Sequence, residues 1–373
     1  IVNGNPGYIN LLDAVNSWQL VTELGTVLRT PAVASFKHTS PAGVGVATRG
    51  GLNDVNHLSP ELKKAYFLGD NELSLESIAY VRARNADPMS SFGDFVAISG
   101  CVHLELAKLI KREVSDGIIA LDYTDEALQL LKTKKGGRYI IMKGRPIVNK
   151  NAQEYREIGN LCLSQNPNTE VTNESYLGDI VTTNKEIRMI DRVNMIIANI
   201  SLKYAQSNSV AYATDGQLVG LGAGQQSRVD CVKLAGRKTD MWHLRSHPKV
   251  IVLHDKFVPH TKRQSKVNAC IRYIEGNMTP VERTYWDALF TEPIDPLTPE
   301  EKEEYLREVY SRREVCLASD AFFPFRDNID HCSKRGVRCV IQPGGSVADQ
   351  QIIEACNEYG MTMCFSNVRV FTH

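Results

Sequence analysis

The chain has 373 residues, with 43 lysines and arginines against 43 aspartates and glutamates, so its formal net charge is zero. That length predicts two or three domains, and the neutral balance excludes bulk attraction to nucleic acid or to an acidic membrane. Any anion has to be bound locally.

No apolar stretch approaches the ~18–20 residues of a membrane span, and no signal peptide is visible. The nine cysteines are irregularly spaced, with no C-x-x-C pair. They read as reduced, buried thiols of a cytosolic protein rather than a disulfide framework or a zinc ribbon. The chain opens on Ile1 rather than Met, which leaves room for sequence upstream.

In chain order, Leu12, Val15, Trp18, Val21, Leu24 and Leu28 recur at helical spacing and predict a helix over 10–29, stopped by Pro31. AVASF (32–36) reads as a buried strand ending at Lys37-His38, followed by a loop. Ser59-Pro60 starts a helix, and a second helical pattern runs through Ile78 and Val81. From 95 to 142 short apolar strands (95–99, 117–121, 139–142) alternate with helices (104–114, 124–134), the mark of a layered α/β domain. A strong helix follows at 187–204. The strands 209–214 and 217–222 flank Asp215-Gly216, a two-residue hairpin signal. Residues 255–313 are polar and helical, with a capping box at Thr298. The C-terminus returns to strand (337–341), helix (348–358) and strands at 362–366 and 368–371.

Two pairs of segments repeat in order and length. GIIAL–TDEALQLL–YIIM resembles VRCVI–VADQQIIEAC–TMCFS, and AVASFKHTSPAGVGVA resembles SVAYATDGQLVGLGAG. The expectation is an internal duplication with a site between the copies.

Five segments could carry chemistry. Lys37-His38 pairs a cation with the natural base near neutral pH at a strand end, although pattern alone favours a solvated strand end. Gly220, Gly222 and Gly224 predict close backbone approach, with a tight hairpin return as the plain alternative. The run lacks a glycine at 225 and so is no dinucleotide fingerprint. Phe322, Phe323 and Phe325 could sandwich a flat ring or simply fill a core. Gly344-Gly345-Ser346 offers free N–H groups to an anion, or a plain strand-to-helix turn. Arg369 and Phe371 share one face of the last predicted strand, suited to a phosphate and a base, or to solvent. No H-E-x-x-H or other tight ligand cluster occurs, so no catalytic metal is expected. The H-x-E and P-C-x-x-C elements of zinc deaminases are also absent.

Taken together, SFKHTSPAG, RARNADPMSSFGDFVA, KREVSDGIIA, QSNSVAYATDGQLVGLGAGQQSR, SDAFFPFRDN, PGGSVAD and NVRVF resemble the formyltransferase portion of the AICAR transformylase/IMP cyclohydrolase family. The resemblance covers essentially the whole chain. It implies two tandem α/β domains, three-layered and like cytidine deaminase but without zinc, plus a helical insertion. The expected division is 1–150 for the first domain, 151–206 for a helical connection, 207–254 with 314–373 for the second domain, and 255–313 for the insertion.

It implies formyl transfer from the co-substrate 10-formyltetrahydrofolate to the 5-amino group of AICAR, giving FAICAR, in a cytosolic homodimer with shared sites. By resemblance, His38 is the general base and Lys37 stabilises the transition state. Gly93, Asp116, Asn208, Arg228, Phe322 and Arg369 fall on AICAR-holding positions. Val229, Asp327, Ser346 and Val347 fall on folate-contacting ones, and Asn268 and Phe371 on further site positions. A structural monovalent cation such as potassium is compatible with the resemblance.

The family's cyclohydrolase domain, and the Arg-Tyr pair that follows it, are not in this sequence. IMP formation is therefore not expected of it, and phosphate binding rests on Lys37 and Arg369. The competing expectation is a nucleotide-binding remnant without catalysis.

Overall fold

The computed structural model describes residues 1–47, 58–69, 72–145, 153–371 and 373. The expected domain boundary at 150/151 lies outside them.

The first helix, α1 (Tyr8–Leu28), buries Asp13, Ala14, Ser17, Trp18, Val21 and Leu24. The buried stripe is rotated from the expected one: Val15 is exposed and the charged Asp13 is inside. Arg29 closes the helix in the left-handed region. A hairpin follows, β1 (Ala32–Lys37) and β2 (Ser40–Val46), where a loop was expected after His38. Pro41 and two glycines disguise β2, yet Pro41 sits beside a register shift of the hairpin, a place where strands tolerate proline. Then come α2 (Pro60–Ala65), α3 (Leu75–Ala86), β3 (Asp94–Val102), α4 (Leu104–Arg112), β4 (Ser115–Tyr123), α5 (Asp125–Lys132) and β5 (Ile140–Lys143). An exposed hairpin, β6 (Glu154–Ile158) and β7 (Leu161–Gln165), forms its own two-stranded sheet. The segment 151–206 is thus not helical throughout; its helix is α6 (Met189–Lys203).

The second half opens on β8 (Val210–Thr214) and β9 (Gln217–Gly222), joined at Asp215-Gly216 as expected, and continues into α7 (Arg228–Leu244). That helix reads weakly, because small or polar residues (Cys231, Ala235, Gly236 and Thr239) share its buried face with Val232, Trp242 and Leu244. Four helices follow: α8 (Pro248–Lys256), α9 (Arg263–Glu275), α10 (Pro280–Asp287) and α11 (Pro299–Ser311). They share a hydrophobic cluster around Trp286, Phe257 and Phe290. The chain ends with β10 (Val315–Ser319), α12 (Asp327–Ser333), β11 (Val337–Gln342), α13 (Asp349–Glu358) and β12 (Thr362–Phe365). Residues 368–371, expected as a strand, are irregular. Val370 spends its N–H on the Asp320 carbonyl rather than on a ladder.

Among the described residues, ten strands form one mixed sheet in the order β12-β11-β10-β8-β9-β2-β1-β3-β4-β5. Read outward from the central β2–β9 contact, where Gly45 faces Gln217 antiparallel, both halves have the same order: hairpin, antiparallel partner, two parallel strands. The segments that repeat in the sequence occupy equivalent places in that order. Strand alternation divides the core. Ala32, Ala34, Phe36, Ala211, Ala213 and Ile341 face the α1/α6 layer. Val33 and Ile98 face α3 and α4, and Tyr212 and Leu317 face the α7 side. The glycines of β2 and β9 let those helices lie directly on the hairpins. A Cβ on Gly45 would stand 2.6 Å from the Ala79 carbonyl, and one on Gly220 would collide with that of Ala235. The close partner of Gly220 and Gly222 is therefore α7, not a ligand.

Candidate functional site

Strand directions put almost every expected site residue on one edge of the sheet. β1 ends there at Lys37, and β3, antiparallel to it, begins there after Gly93. β4, parallel to β3, begins there beside Asp116. β8 begins there after Asn208, while β10 and β11 end there before Phe322 and Ser346. The tail with Arg369 and Phe371 leaves β12 at the same edge. In the second half this is where parallel strands end, the usual place for a ligand; in the first half it is where they begin.

The first group surrounds the β1–β2 turn. Lys37 pairs with Ser40, so His38 and Thr39 are the whole loop, with φ of 51° and 62°. Such a turn needs positive φ at both positions and ordinarily takes Asn-Gly or Asp-Gly. Here a histidine and a β-branched threonine hold it, at a cost of order 1–3 kcal/mol each. The Lys37 ammonium donates to the Phe92 carbonyl at 2.7 Å and the Gly93 carbonyl at 3.2 Å. Gly93 itself has φ 76°, and a Cβ there would lie 2.9 Å from Lys37 Nζ. Asp116 is paired with Lys135 at 2.6 Å.

Behind the turn, the buried Asp13 accepts the Thr39 N–H at 2.7 Å. Burial raises its pKa, opposed by that hydrogen bond and by the charges of His38 and Lys37. Next to Gly93, buried Asp94 accepts the Ser35 hydroxyl at 2.6 Å, and burial lifts its pKa to about 6 against the pull of Arg84. His38 and Lys37 open onto a cleft of about 390 Å³ that also has Pro41, Phe92, Leu221 and Lys238 in its walls. Its walls mix apolar side chains with polar ones and with the cations Lys37 and Lys238, the latter paired with Asp87 at 3.0 Å.

The second group lies on β8, β10, α7 and the tail. Buried Asp320 accepts from Ser207 Oγ (2.8 Å), Ser209 N (3.0 Å), Ser209 Oγ (2.9 Å) and the Arg228 guanidinium. Arg228 also donates to the Ser209 carbonyl at 3.0 Å. Asn208 Oδ1 is buried with no hydrogen-bond partner among the described residues, a vacancy that a bound polar group would fill. The Arg369 guanidinium stands 6.0 Å from the centre of the half-buried Phe322 ring. Of the other two phenylalanines, Phe323 is core and Phe325 is exposed. Three spacings of ~4.8 Å separate β1 from β8, so the two groups lie roughly 14 Å apart along the edge.

The remaining expected residues are less engaged. Val229 is half-buried in the first turn of α7, Asp327 is exposed and accepts from Asn328 (2.9 Å), and Val347 is fully exposed. The N–H groups of Gly345 and Ser346 are not free for an anion: both donate to the Asp349 carboxylate, at 2.7 and 3.1 Å. Phe371 is partly exposed beside His373. Asn268 lies away from this edge in sequence and element, on α9, where it accepts from Gln264 at 2.8 Å. Sequence reasoning missed Asp13 and Asp320; the signal for Asp13 was an acidic residue on a buried helical stripe. Asp191, Cys316 and Cys339 form a buried triplet with metal-ligand spacing. Arg188 and Arg338 occupy the Asp191 oxygens, and burial pushes the Cys316 thiol well up, so Asp191 is engaged in ion pairs here.

Comparison with known proteins gives this edge a context. The model of the AICARFT/IMPCHase bienzyme family matches residues 1–238. The chain belongs to that family. Three relatives, each called bifunctional purine biosynthesis protein PurH, are 28% identical. The protein from Elusimicrobium minutum aligns over 98% of this chain and 52% of its own length. The one from Magnetococcus marinus aligns over 98% and 52%, and the one from Clostridium perfringens over 100% and 53%. This member of the AICARFT/IMPCHase family thus spans about half the length of the curated relatives it matches. No helix among the described residues is long and apolar enough to cross a membrane.

Proposed function

We propose that this family member transfers the formyl group of 10-formyltetrahydrofolate to the 5-amino group of AICAR, giving FAICAR and tetrahydrofolate. The observation that carries the reading is the strained His38–Thr39 turn, which presents a base and the neighbouring Lys37 together at the mouth of the cleft. Backbone strain of this kind is kept where chemistry needs it.

The AICAR amine is a weak nucleophile, because its lone pair is shared with the ring. As the nitrogen bonds to the formyl carbon its N–H becomes acidic, and His38 takes that proton, a contribution of roughly 10²–10⁴-fold. The formyl oxygen gains negative charge that the Lys37 ammonium neutralises, on the order of 3 kcal/mol. Collapse breaks the bond to N10 of the folate, which leaves with a proton returned by His38. Asn208, Arg228, Phe322 and Arg369 hold the nucleotide, with Gly93 and Asp116 at its other side. Val229, Asp327, Ser346 and Val347 border the folate, and Asn268 and Phe371 are outer members of the site.

The reading includes a cytosolic homodimer that shares its sites. It also includes the division into two deaminase-like domains, 1–150 and 207–254 with 314–373, a connection over 151–206 and an insertion over 255–313. The mirrored strand order supports it. A structural monovalent cation belongs to the reading through the family resemblance, and no step of the reaction runs through it.

The test is to mix the purified chain with AICAR and 10-formyltetrahydrofolate and follow tetrahydrofolate release by absorbance. Turnover is expected. Tight AICAR binding by calorimetry without release would favour a non-catalytic nucleotide-binding protein instead.

A further inference from the structure

We propose that Asp13 is the positioning residue of the His38 turn: its carboxylate, carried on α1, clamps the Thr39 amide and so fixes the direction in which His38 leaves β1. The proposal rests on the formyl-transfer reading for its catalytic consequence, but the clamp stands on geometry.

Three observations support it. Asp13 Oδ1 accepts the Thr39 N–H at 2.7 Å, and in a two-residue turn that amide has no ladder partner of its own. Asp13 is only 6% exposed, on the helix stripe otherwise held by Ala14, Ser17, Trp18 and Val21. A carboxylate there has to be recovered by a specific contact. And two successive non-glycine residues at positive φ persist only where the surroundings over-determine them. The helix is a rigid anchor, because Trp18, Val21 and Leu24 hold it on the sheet.

The charged groups facing the Asp13 carboxylate are His38 and Lys37 from the hairpin and Asp116 from β4; Asp116 is itself paired with Lys135. Burial is the largest influence on Asp13 and raises its pKa above the ordinary aspartate range, while the Thr39 N–H and the neighbouring His38 and Lys37 oppose it.

Two variants separate the parts of the clamp. Asp13→Asn keeps an oxygen able to accept from Thr39 and removes the charge; Asp13→Leu removes both. Asp13→Leu is expected to lower kcat about a hundredfold, the usual consequence of a small misplacement of a reacting group, with KM for both substrates within about threefold. Asp13→Asn is expected to fall between Leu and wild type, with the acid limb of its pH–rate profile displaced. Turnover of Asp13→Leu within twofold of wild type would overturn the proposal.

A second readout does not need activity. In the deuterated wild-type protein, the Thr39 amide proton shift should show a step as Asp13 protonates, separate from the step that follows the His38 imidazole signals, and that step should vanish in Asp13→Asn. A Thr39 amide that lacks that step in the wild type refutes the clamp, even if Asp13→Leu fails to fold. Wild-type protein that releases no tetrahydrofolate but shows the amide titration would sink the formyl-transfer reading and leave the clamp intact.

Discussion

The two central hairpins are equivalent in the sheet and opposite in chemistry. β8–β9 turns at Asp215-Gly216, with φ of 49° and 70°; β1–β2 turns at His38-Thr39, with φ of 51° and 62°. The backbone demand is the same. At Asp215-Gly216 it is met by residues that favour it, and the turn is tied down by the Asn194 side chain on the Gly216 N–H at 3.0 Å. At His38-Thr39 it is met by residues that resist it, clamped by Asp13. Because β2 and β9 run antiparallel, the two turns lie at opposite edges of the sheet. The edge with the unfavourable turn is the one that gathers Lys37, Gly93, Asp116, Asn208, Arg228 and Arg369. Two hairpins in equivalent places of the same strand order thus differ in which residues hold the turn and in what gathers beside it.

If that contrast is functional, removing the imidazole should have the largest effect. His38→Ala is expected to lower kcat for formyl transfer by roughly 10²–10⁴-fold while leaving the thermal midpoint within a few degrees, since His38 is exposed. Stopped-flow or steady-state absorbance checks it, and near-normal turnover would make the β1–β2 turn as ordinary as its counterpart.

The second group should behave differently, because its charges are structural as well as ligand-facing. Arg228→Met leaves the buried Asp320 carboxylate without its guanidinium. Breaking a buried pair on one side costs ~3–5 kcal/mol, so both a fall in chemical-denaturation stability and a loss of AICAR affinity are expected. Loss of affinity with unchanged stability would mean that Ser207 and Ser209 alone satisfy Asp320.

Gly93→Ala probes the contact behind Lys37. The added methyl would crowd the Lys37 ammonium at a residue with φ 76°, and a shift of about 1 Å in a catalytic group costs on the order of 10²-fold. We expect kcat to fall about that much, with the fold intact by circular dichroism.

Much of this was legible in the sequence, and what was not has definite causes. The helices and strands between 95 and 142 read cleanly, because apolar runs and charged helix faces alternate there. The paired segments revealed the mirrored halves before any strand order was known. β2 does not read as a strand, since Pro41, Gly43 and Gly45 are loop residues by propensity; Pro41 sits beside a register shift, and the two glycines let α3 lie against the strand. β10 was hidden beside the phenylalanine run, and α7 by the small and polar residues on its buried face. The tail reads as a strand because Val368, Arg369 and Val370 alternate, and that alternation of exposure is real although no ladder forms. Asp320 could not be read at all, because its partners lie 92 and more residues away. The identities of Lys37 and His38 came from motif resemblance; the strain at their turn is a property of the backbone that no composition reveals.

The smallest effect is the sharpest test of the contrast between the turns. Thr39→Gly relieves a β-branched residue at φ 62°, and Gly216→Thr imposes one at φ 70°. If both turns obey the same backbone physics, the first should stabilise the chain by up to ~1 kcal/mol and the second destabilise it by ~1–2 kcal/mol in denaturant titrations. Their catalytic effects should not mirror each other. Thr39→Gly loosens the residue after His38 and should lower kcat despite the added stability, the trade expected where strain serves a site. Gly216→Thr, at the far edge, should lower stability and leave kcat of the folded fraction unchanged. Equal and opposite stability changes with no change in kcat for either variant would show that the His38–Thr39 strain is incidental, and the difference between the two hairpins would then be one of sequence only.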